Sequence, residues 1–511
     1  MIVLTHNNQK AVSVEDISTS TEIDFKATDS ILNVMYALAE QFPNHVLVWQ
    51  HVSAVSYVDF DYIARIPALD RKCLSYCSQS FFPDAIGYVE QSPFINIKKE
   101  VCYPTWQMSG LIGVIKASNL LQFKNEVSSI NFSYALNAIA KLGMPQGLRC
   151  YSEPSLLKKE LPSHEKQASE SLLFKFVKQH YKWVWVWLLF LNKWIYERKF
   201  SLYALCHTFT TKRTHVLFKS QSISIKKGNQ EGDGPSSIDV IIPTIGRPDY
   251  LYDVLFDLRN QSHLPNRVII IEQNPEPESV SDLNYLHSEI WPFEIDHTFT
   301  HQTGACFARN LALSKVESEW VFFADDDIRI ESSFLEKVMN NLKGYGVQAA
   351  MQSCLLKNQK KTYKIIHQTS IFGSGCSIVS SSFAKKLKFD DHLEFGFGED
   401  TVYGIELRRL GVDVVYFPEP NILHLKAPRG GFRSTFVQPW EHEKIQPKPS
   451  PTIMYLKQKY YTNEQLNGYK TILYFKMYKF NLFKLKTFMK RWKQSEKWAK
   501  FLSNKGALNN A

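Results

Sequence analysis

Short apolar runs alternate with amphipathic stretches in the second half of the chain. The run from Ile238 to Pro243 precedes a stretch with helical spacing from Tyr250 to Gln261, and a second run spans Arg267 to Ile271. A helix-like stretch from Ala305 to Val316 then leads into the apolar run from Trp320 to Ala324. Strands and helices that alternate at this spacing indicate right-handed crossovers and a parallel sheet. The pattern therefore predicts an α/β fold whose ligands bind beyond the carboxyl ends of the strands.

Three consecutive aspartates, Asp325, Asp326 and Asp327, follow the last of these runs directly. Because side chains alternate faces along a strand, Asp325 and Asp327 start on the same side. Carboxylates this close repel each other and lose hydration unless a cation neutralises them. Oxygen ligands at this edge of a sheet suit Mg²⁺ or Mn²⁺ holding a phosphate. A solvated acidic loop that caps the next helix is an equally open interpretation.

Two glycine-containing segments lie downstream of the aspartates. The segment from Phe372 to Ser380 joins glycines to a strand-like run, and the segment from Phe395 to Asp400 opens a helix. A strand from Val412 to Phe417 then leads towards His424. A carboxylate at the start of that helix would face the sheet edge, where it is well placed for proton transfer. The same carboxylates could simply cap the helix, although a cap does not require the glycines that precede them.

Five of these features, taken in order, resemble the family-2 glycosyltransferases, which have the GT-A fold. The matching segments are Ile241–Thr244, Ala308–Asn310, the three aspartates, Gly398–Asp400 and His424. The resemblance covers about residues 236–430. It implies a mostly parallel, Rossmann-like sheet and the transfer of a sugar from a nucleotide-sugar donor to a glycan or lipid-linked acceptor. The family reaction is a single displacement that inverts the anomeric carbon, and synthesis of a surface polysaccharide is the expected role.

The resemblance also implies which residues hold the donor. Asp325 and Asp327 would bind a divalent metal, Mn²⁺ or Mg²⁺, with His424 completing the metal or diphosphate contacts. Asp325 and Asp326 would also contact the donor. Further donor contacts are expected from Pro243, Thr244, Arg247, Glu272 and Arg309. Glu272 occupies a position where the family more usually has an aspartate against the base, which leaves the identity of the nucleotide open.

On the acceptor side, the resemblance implies that Asp400 is the general base. Glu399 would bind acceptor hydroxyls, and Gly373 and Gly375 would line the acceptor side of the site.

The N-terminal part of the chain repeats the latter half of the pattern without its carboxylates. The stretch from Asn131 to Gly143 resembles the one from Glu399 to Gly411, and each is followed by a strand and a Glu-Pro pair. A strand-like run before Gln50-His51-Val52 resembles the run before the aspartates. We interpret residues 1–160 as a degenerate, inactive GT-A-like domain. Chance similarity between two α/β patterns is the alternative.

Composition divides the rest of the chain. A polar, glycine-rich stretch from Lys226 to Ser237 is typical of a linker. We therefore expect an aromatic and basic helical connector with this linker at 161–235, a catalytic domain at 236–440 and a basic, aromatic helical tail at 441–511.

The net positive charge of the whole chain comes from its C-terminal tail. Thirteen of the 60 basic residues and two of the 50 acidic residues lie after residue 452, so this tail carries +11 and the rest of the chain −1. That distribution argues against a general nucleic-acid surface. The eight cysteines are scattered without metal-binding spacing, which is typical of reduced thiols in a cytoplasm.

Two segments rich in aromatic and basic residues favour contact with an anionic membrane surface. Leu172 to Phe209 contains nine consecutive apolar residues from Trp183 to Leu191, too few to span a bilayer, which needs about 20. Trp and Tyr beside Lys suit an interfacial helix, and Thr471 to Leu502 has the same character. We expect a cytoplasmic protein with peripheral contact at the inner face of the cell membrane. Packing of both segments into a helical subdomain is the alternative.

Two other classes of function compete with sugar transfer. A metal-dependent nucleotidyltransferase also uses aspartates at a sheet edge, but we expect it to carry a glycine-rich basic loop after the first strand. The turn from Thr244 to Pro248 is too short for that loop. A non-catalytic glycan-binding scaffold would not need the intact aspartates or the Glu399–Asp400 pair.

Overall fold

A computed structural model describes residues 1–67, 69–161, 166–214, 236–427 and 436–509, with side chains in the last range up to residue 504. The chain forms two compact units, one of Met1–Ser222 with Tyr461–Phe480 and the other of Ile223–Tyr460 with Asn481–Ala511. The first unit thus includes helices of the expected connector and part of the expected tail. The expected linker at Lys226 to Ser237 lies almost entirely outside the described residues.

The first unit is built on an eight-stranded mixed sheet with the strand order β3-β2-β1-β4-β7-β5-β8-β6. The strands are β1 (Ile2–His6), β2 (Ala11–Asp16), β3 (Thr21–Glu22), β4 (Val46–His51), β5 (Lys72–Ser75), β6 (Tyr103–Pro104), β7 (Ile112–Lys116) and β8 (Arg149–Ser152). The helices in this part of the chain are α1 (Ile31–Gln41), α2 (Phe60–Arg65), α3 (Ala117–Leu121), α4 (Phe132–Gly143), α5 (Glu170–His180), α6 (Val184–Asn192) and α7 (Leu202–His207).

The second unit is built on a nine-stranded sheet with the order β11-β10-β9-β12-β16-β14-β17-β13, and β15 pairs with β17. The strands are β9 (Ile238–Thr244), β10 (Arg267–Gln273), β11 (Glu294–Thr300), β12 (Trp320–Ala324), β13 (Ile328–Arg329), β14 (Ala349–Leu356), β15 (His367–Gln368), β16 (Cys376–Ser380) and β17 (Val415–His424). The helices are α8 (Pro248–Arg259), α9 (Tyr285–Ser288), α10 (Ala305–Ser314), α11 (Phe334–Tyr345), α12 (Ser381–Ala384), α13 (Glu399–Arg409) and α14 (Pro451–Tyr460). Helix α15 (Asn463–Tyr478) belongs to the first unit, and α16 (Leu485–Asn509) to the second.

Helices cover both faces of the second sheet. The strands β11, β10, β9 and β12 are parallel to one another. Val240 and Ile242 pack with the apolar stripe of α8 on one face, while Ile241 packs with residues of α10 and α13 on the other. The sequence of a strand that is buried on both faces is continuously apolar, whereas a strand with one exposed face alternates apolar and polar residues. The predicted α/β fold with a mostly parallel sheet is confirmed.

The two sheets share a six-strand pattern. In the first unit β1 and β4 are parallel, β4–β7 and β7–β5 antiparallel, β5–β8 parallel and β8–β6 antiparallel. The strands β9, β12, β16, β14, β17 and β13 follow one another with the same directions. Helix α1 precedes β4 as α10 precedes β12, and α4 precedes β8 as α13 precedes β17. A shared order that includes antiparallel pairs at the same places supports the interpretation of the N-terminal part as a relative of the second unit.

Side chains of the first unit fill the edge that corresponds to the aspartates. The Nε2 atom of His6 donates to the carbonyl oxygen of Gly110 at 2.8 Å, and the ring of Phe132 lies 5.2 Å from that of His6 and 6.1 Å from that of Trp49. Gln50 donates to the Oγ1 atom of Thr5 at 3.0 Å. This edge is therefore packed with aromatic rings and neutral polar groups rather than with acidic ones.

The tail helices pack as part of the two units. Gln465 on α15 donates to the carbonyl oxygens of Glu90 and Ser92, and on α16 the Oγ atom of Ser495 donates to the carbonyl oxygen of Pro449 at 2.8 Å. Tyr474 and Trp492, two aromatic residues of the predicted interfacial tail, are buried. Over the described part of the chain, none of the helices combines the length and apolar character needed to cross a membrane.

Acid should destabilise the first unit through two buried histidines. Burial lowers the pKa of His6 to about 4 and that of His180 to about 3. Because both pKa values are depressed in the folded state, their contribution to stability is complete above about pH 6.5 and is lost as the pH falls towards 4. Each histidine should cost about 1.4 kcal/mol of unfolding free energy per pH unit in this window.

Thermal or denaturant unfolding between about pH 7.5 and 5 checks this expectation. The His180→Phe variant keeps a ring beside Phe176, which His180 contacts at 4.4 Å between ring centroids, and removes one titrating group. Its stability should fall less steeply with acid, and an unchanged slope would rule out the role of His180.

Candidate active site

A cavity of about 480 Å³ opens where β9 and β12 end. Its walls include the following polar side chains, with glycine and aromatic residues between them: Thr244, Arg247, Gln273, Arg309, Asp325, Asp326, Asp327, Glu394, Glu399, His424 and Lys426. A larger open cleft of about 930 Å³ lies elsewhere on the second unit, around Pro265, Asn266 and Phe293. The aspartates belong to the smaller cavity, at the sheet edge where the sequence predicts a ligand site.

The chain turns at the aspartates instead of continuing the strand. Strand β12 ends at Ala324 and the short β13 begins at Ile328. Asp325 and Asp327 reach towards His424, and Asp326 turns away towards Thr244. The next helix, α11, has Ser333 at its N-cap position, so the aspartates do not cap it. This arrangement disfavours the interpretation of the triplet as a capping loop.

Asp325, Asp327 and His424 form a group that could hold a metal ion. One ligand atom from each lies within 4.8 Å of the other two, and this is the only such group of three or more in the described ranges. The Oδ1 atom of Asp327 lies 3.2 Å from Nε2 of His424. Two carboxylates and an imidazole fit a divalent cation, and the nitrogen ligand favours Mn²⁺ over Mg²⁺. Desolvation by burial and the like charge of Asp327 raise the pKa of Asp325, and a cation would relieve that repulsion.

Each aspartate has a different electrostatic setting. The side chain of Asp325 is 35% exposed into the cavity, yet desolvation by the surrounding protein raises its pKa despite Arg309 nearby. Burial raises the pKa of Asp326 to about 6, against the opposing effects of Arg247 and Thr244. For Asp327, burial works in the same upward direction. Hydrogen bonds from His424 and from the backbone N–H of Ala427 outweigh it and hold the pKa of Asp327 below its usual value.

Two arginines from different elements contact the aspartates. Arg247, in the turn after β9, lies with Nη1 2.5 Å from Oδ1 of Asp326 and 3.3 Å from Oδ2 of Asp327. Arg309, on the buried face of α10, donates from Nη2 to Oδ1 of Asp325 at 3.3 Å. Both side chains line the cavity. They hold the carboxylates in place and add positive charge to the wall of the cavity.

Glu399 and Asp400 begin α13 after Gly398, whose φ of +111° favours glycine. Glu399 lines the cavity, and burial together with the charge of Asp400 raises its pKa. Asp400 is not among the cavity-lining residues. Its Oδ2 atom accepts from the backbone N–H of Ser374 at 3.3 Å, and its Oδ1 atom is buried with no hydrogen-bond partner among the described residues.

The glycine segment between Phe372 and Cys376 packs against Asp325. A Cβ atom on Gly375 would lie 2.0 Å from Oδ2 of Asp325, and one on Gly373 would lie 2.7 Å from Sγ of Cys376. Gly375 therefore lets the backbone pass behind a candidate metal ligand. Neither Gly373 nor Gly375 lines the cavity.

Replacing Gly375 with alanine should displace Asp325 and weaken metal binding at least tenfold, because the new Cβ atom overlaps the carboxylate. Isothermal titration of Mn²⁺ measures the effect. Gly346→Ala is the control. Gly346 differs from Gly375 in having a positive φ (+58°), so the substitution adds backbone strain, but nothing lies within 4 Å of the new atom. Equal Mn²⁺ affinity in the two variants would contradict this role of Gly375.

The structure places Glu272 outside the cavity. Its Oε2 atom accepts from Nε2 of His297 at 2.9 Å, and its Oε1 atom accepts from the backbone N–H of Asp282 at 3.3 Å. Although burial opposes it, these hydrogen bonds lower the pKa of Glu272. The neighbouring Gln273 lines the cavity instead. Pro243 and Thr244 also line it, as expected for the first loop.

Sequence reasoning missed Glu394. This carboxylate lines the cavity and accepts from the backbone N–H groups of Cys306 and Phe307 at 3.1 and 2.8 Å, at the start of α10. It thereby links the segment before α13 to the helix that carries Arg309. No local signal could have found it, because its partners lie nearly 90 positions away in the sequence.

An aromatic pair at the cavity was also missed. The rings of Phe395 and Phe436 stack with centroids 4.3 Å apart and an interplanar angle of 15°, and both residues line the cavity. Phe395 has a φ of +55°, a conformation that is costly for a bulky side chain and is typical of functional sites.

Comparison with known proteins finds a family model that matches the part of the chain from β9 to the start of α13. Residues 239–400 match the model of glycosyl transferase family 2. An uncharacterized glycosyltransferase from Haemophilus influenzae is 28% identical over 103 residues, which cover 20% of this chain and 41% of that protein. The chain thus spans less than half the length of this curated relative.

Solved structures show more distant likenesses. TarS 1–349 from S. aureus in complex with UDP-GlcNAc is 14% identical, with 52% of this chain and 81% of that chain covered and a TM-score of 0.36. GalNAc-T7 with UDP, GalNAc and Mn²⁺ is 11% identical, with 38% and 44% covered and a TM-score of 0.32. At these TM-scores the likenesses carry no further argument. The family match confirms the resemblance found in the sequence, and the chain contains a glycosyltransferase domain that includes the aspartates and the Glu399–Asp400 pair.

Proposed function

We propose that the chain is a metal-dependent, inverting glycosyltransferase that moves a sugar from a nucleotide-sugar donor to a glycan or lipid-linked acceptor. The observation that carries this proposal is the meeting of Asp325, Asp327 and His424 at one cavity. That cavity also contains Glu399, and most of its residues fall within the family-2 match.

On the donor side, Asp325, Asp327 and His424 would hold a divalent cation. When bound, such an ion neutralises the diphosphate leaving group as a Lewis acid. Arg309 orients Asp325, while Thr244 and Arg247 hold Asp326. Arg247 also contacts Asp327. If a cation bound the carboxylate of Asp327, the guanidinium of Arg247 could turn towards a phosphate oxygen. The base and ribose would lie beside Pro243 and Gln273. Glu272 would act indirectly, because it fixes the position of the loop that follows β10.

On the acceptor side, Asp400 is the proposed general base. Its Oδ1 atom is buried beside the cavity with no hydrogen-bond partner among the described residues. We propose that the first turn of α13 shifts when the acceptor binds, so that this atom accepts the proton of an acceptor hydroxyl. The freed oxygen then attacks the anomeric carbon, and the electron pair of the broken bond leaves with the nucleoside diphosphate. Glu399 would bind other acceptor hydroxyls, and Gly373 and Gly375 shape this side. The stacked rings of Phe395 and Phe436 offer an apolar surface to a sugar face.

We further propose that the product is a surface polysaccharide or a lipid-linked glycan made at the inner, cytoplasmic face of the cell membrane. The basic and aromatic segments of the chain support this location.

A thermal-shift panel of nucleotide sugars with and without Mn²⁺ tests the donor half of the proposal. A ligand at a hundred times its dissociation constant stabilises a protein by about 2.7 kcal/mol, so one donor should raise the melting temperature in the presence of Mn²⁺. Absence of a shift with every nucleotide sugar, in both conditions, would contradict the proposal.

A further inference from the structure

The helices after residue 181 expose aromatic side chains to solvent on one surface of the first unit. Trp183 is 66% exposed, Trp187 is 45% exposed and Trp194 is 51% exposed. Trp183 and Trp187 are one helical turn apart, and so share a side of the helix. An adjacent side of α6 supplies Val186 and Leu189 to the core. An outward face of this kind is normally polar in a soluble helix.

These residues form part of a larger patch. The ring of Phe190 lies 6.5 Å from that of Trp187 and 5.1 Å from that of Phe200, and the ring of Phe200 lies 6.1 Å from that of Trp194. Phe200 is exposed, as are Val184, Ile195, Leu202 and Tyr203 on the same short stretch of chain. A connected apolar patch marks an interaction surface more often than scattered apolar residues do. We call the exposed residues from Trp183 to Tyr203 the aromatic patch.

Positive charge surrounds the aromatic patch. Residues 181–214 contain six Lys or Arg and one acidic residue, Glu197, a net charge of +5. Glu197 pairs with Lys193 and Lys199 at 2.8 and 3.6 Å, and the partly exposed Glu170 of α5 pairs with Lys193 at 2.9 Å, so both acidic groups near the patch are in ion pairs. Lys182, Arg198 and Lys199 are exposed. Indole rings, aliphatic side chains and basic groups together match the boundary between anionic head groups and acyl chains.

We propose that the aromatic patch is the surface by which the chain binds anionic lipid. This inference rests on the membrane location proposed above but not on sugar transfer. The sequence-based expectation gave the tail the same character, and the structure divides it: Tyr474, Phe488 and Trp492 are buried, whereas Phe480, Leu482 and Phe483 are exposed. The proposal is restricted to the aromatic patch, whose rings contact one another from Trp187 to Trp194. Exposed aliphatic residues such as Val184, Ile195 and Leu202 favour a lipid surface over a glycan, since sugars stack on rings and gain little from aliphatic side chains.

Vesicle sedimentation with the full chain tests this proposal. The probes are vesicles of phosphatidylglycerol mixed with phosphatidylcholine, and vesicles of phosphatidylcholine alone. The wild type should sediment with the anionic vesicles and be released as NaCl is raised, because salt screens the attraction to head groups. The variant Trp187→Ser/Trp194→Ser should lose about tenfold or more of its vesicle affinity.

Ile130→Ser is the matched control, since Ile130 is an exposed apolar residue of the same unit outside the patch. It should bind vesicles like the wild type. Melting temperature and nucleotide-sugar binding, measured on each variant, should stay unchanged, which separates loss of lipid contact from misfolding and from failure of the proposed function.

Three results would overturn the proposal. They are a wild type that ignores anionic vesicles, a folded tryptophan variant that binds them like the wild type, and a wild-type dimer that the tryptophan substitutions split without any vesicle binding. The last result would identify the patch as an interface between two copies of the chain.

Discussion

Replacing Asp327 with alanine should abolish sugar transfer together with metal and donor binding, while the fold stays intact. Asp327 joins Asp325 and His424 in the candidate metal site, and its Oδ1 atom lies 3.2 Å from Nε2 of His424. The protein offers three ligands to the cation. Without this carboxylate only two remain, which are too few to hold the cation firmly. We expect transfer to fall by about three orders of magnitude. Because contacts with His424 and the backbone N–H of Ala427 hold the pKa of Asp327 below its usual value, the ionised carboxylate stabilises the fold. The melting temperature should therefore fall moderately, while the unfolding transition stays cooperative.

Mn²⁺ titration, nucleotide-sugar binding and turnover, measured on the same preparation, check this prediction. Asp253→Ala is the matched control, because Asp253 is a half-exposed aspartate of the second unit that pairs with Arg329 and lies outside the cavity. It should leave all three measurements unchanged. Retention of Mn²⁺-dependent donor binding by Asp327→Ala would remove Asp327 from the metal site.

Replacing Asp400 with asparagine should stop transfer without loss of donor or metal binding. An amide of the same shape keeps the contact with Ser374 but cannot take up the acceptor proton, which costs about 10²–10⁴ in rate. Turnover should therefore collapse while the dissociation constants for Mn²⁺ and the nucleotide sugar stay near wild type. The split between binding and turnover distinguishes this variant from Asp327→Ala.

Glu399→Gln is the informative companion, because Glu399 lines the cavity and Asp400 does not. If Asp400 is the base, Glu399→Gln should mainly raise the KM for the acceptor. Near-normal turnover by Asp400→Asn together with collapse in Glu399→Gln would transfer the role of base to Glu399.

Features with a strong local pattern could be predicted from the sequence. Buried parallel strands need continuous apolar runs, so Trp320 to Ala324 identified β12 and thereby the edge that carries the aspartates. Element boundaries were less certain. The predicted strand from Val412 to Phe417 is displaced, since β17 spans Val415–His424 and brings His424 to the site as its last residue.

Contacts between distant segments could not be predicted, because they depend on tertiary packing. The hydrogen bond from the backbone N–H of Ala427 to Asp327 could not be predicted, because a backbone donor does not depend on the type of side chain. Glu272 pairs with His297 because β10 and β11 run side by side, and no spacing rule reveals that pairing. Aromatic residues with similar neighbours in the sequence also differ in burial. Trp492 is buried, whereas Trp194 is exposed.

The N-terminal unit bears on how many reaction centres one chain contains. Its sheet repeats six strands of the second unit in the same directions, but His6, Trp49 and Phe132 fill the corresponding edge. We therefore propose that it is catalytically inactive and that the chain binds one donor. Titration should give one nucleotide sugar per chain, and a second equivalent of comparable affinity would argue against this proposal.

The most direct test of the central claim is release of nucleoside diphosphate from the donor that binds, measured as Mn²⁺ is titrated into metal-free wild type and Asp327→Ala. If Asp325, Asp327 and His424 hold the cation for sugar transfer, release by the wild type should rise with Mn²⁺ to saturation and disappear on chelation. The variant should then stay at background throughout. Equal release by the wild type with and without Mn²⁺, or Mn²⁺-stimulated release by Asp327→Ala, would contradict the account.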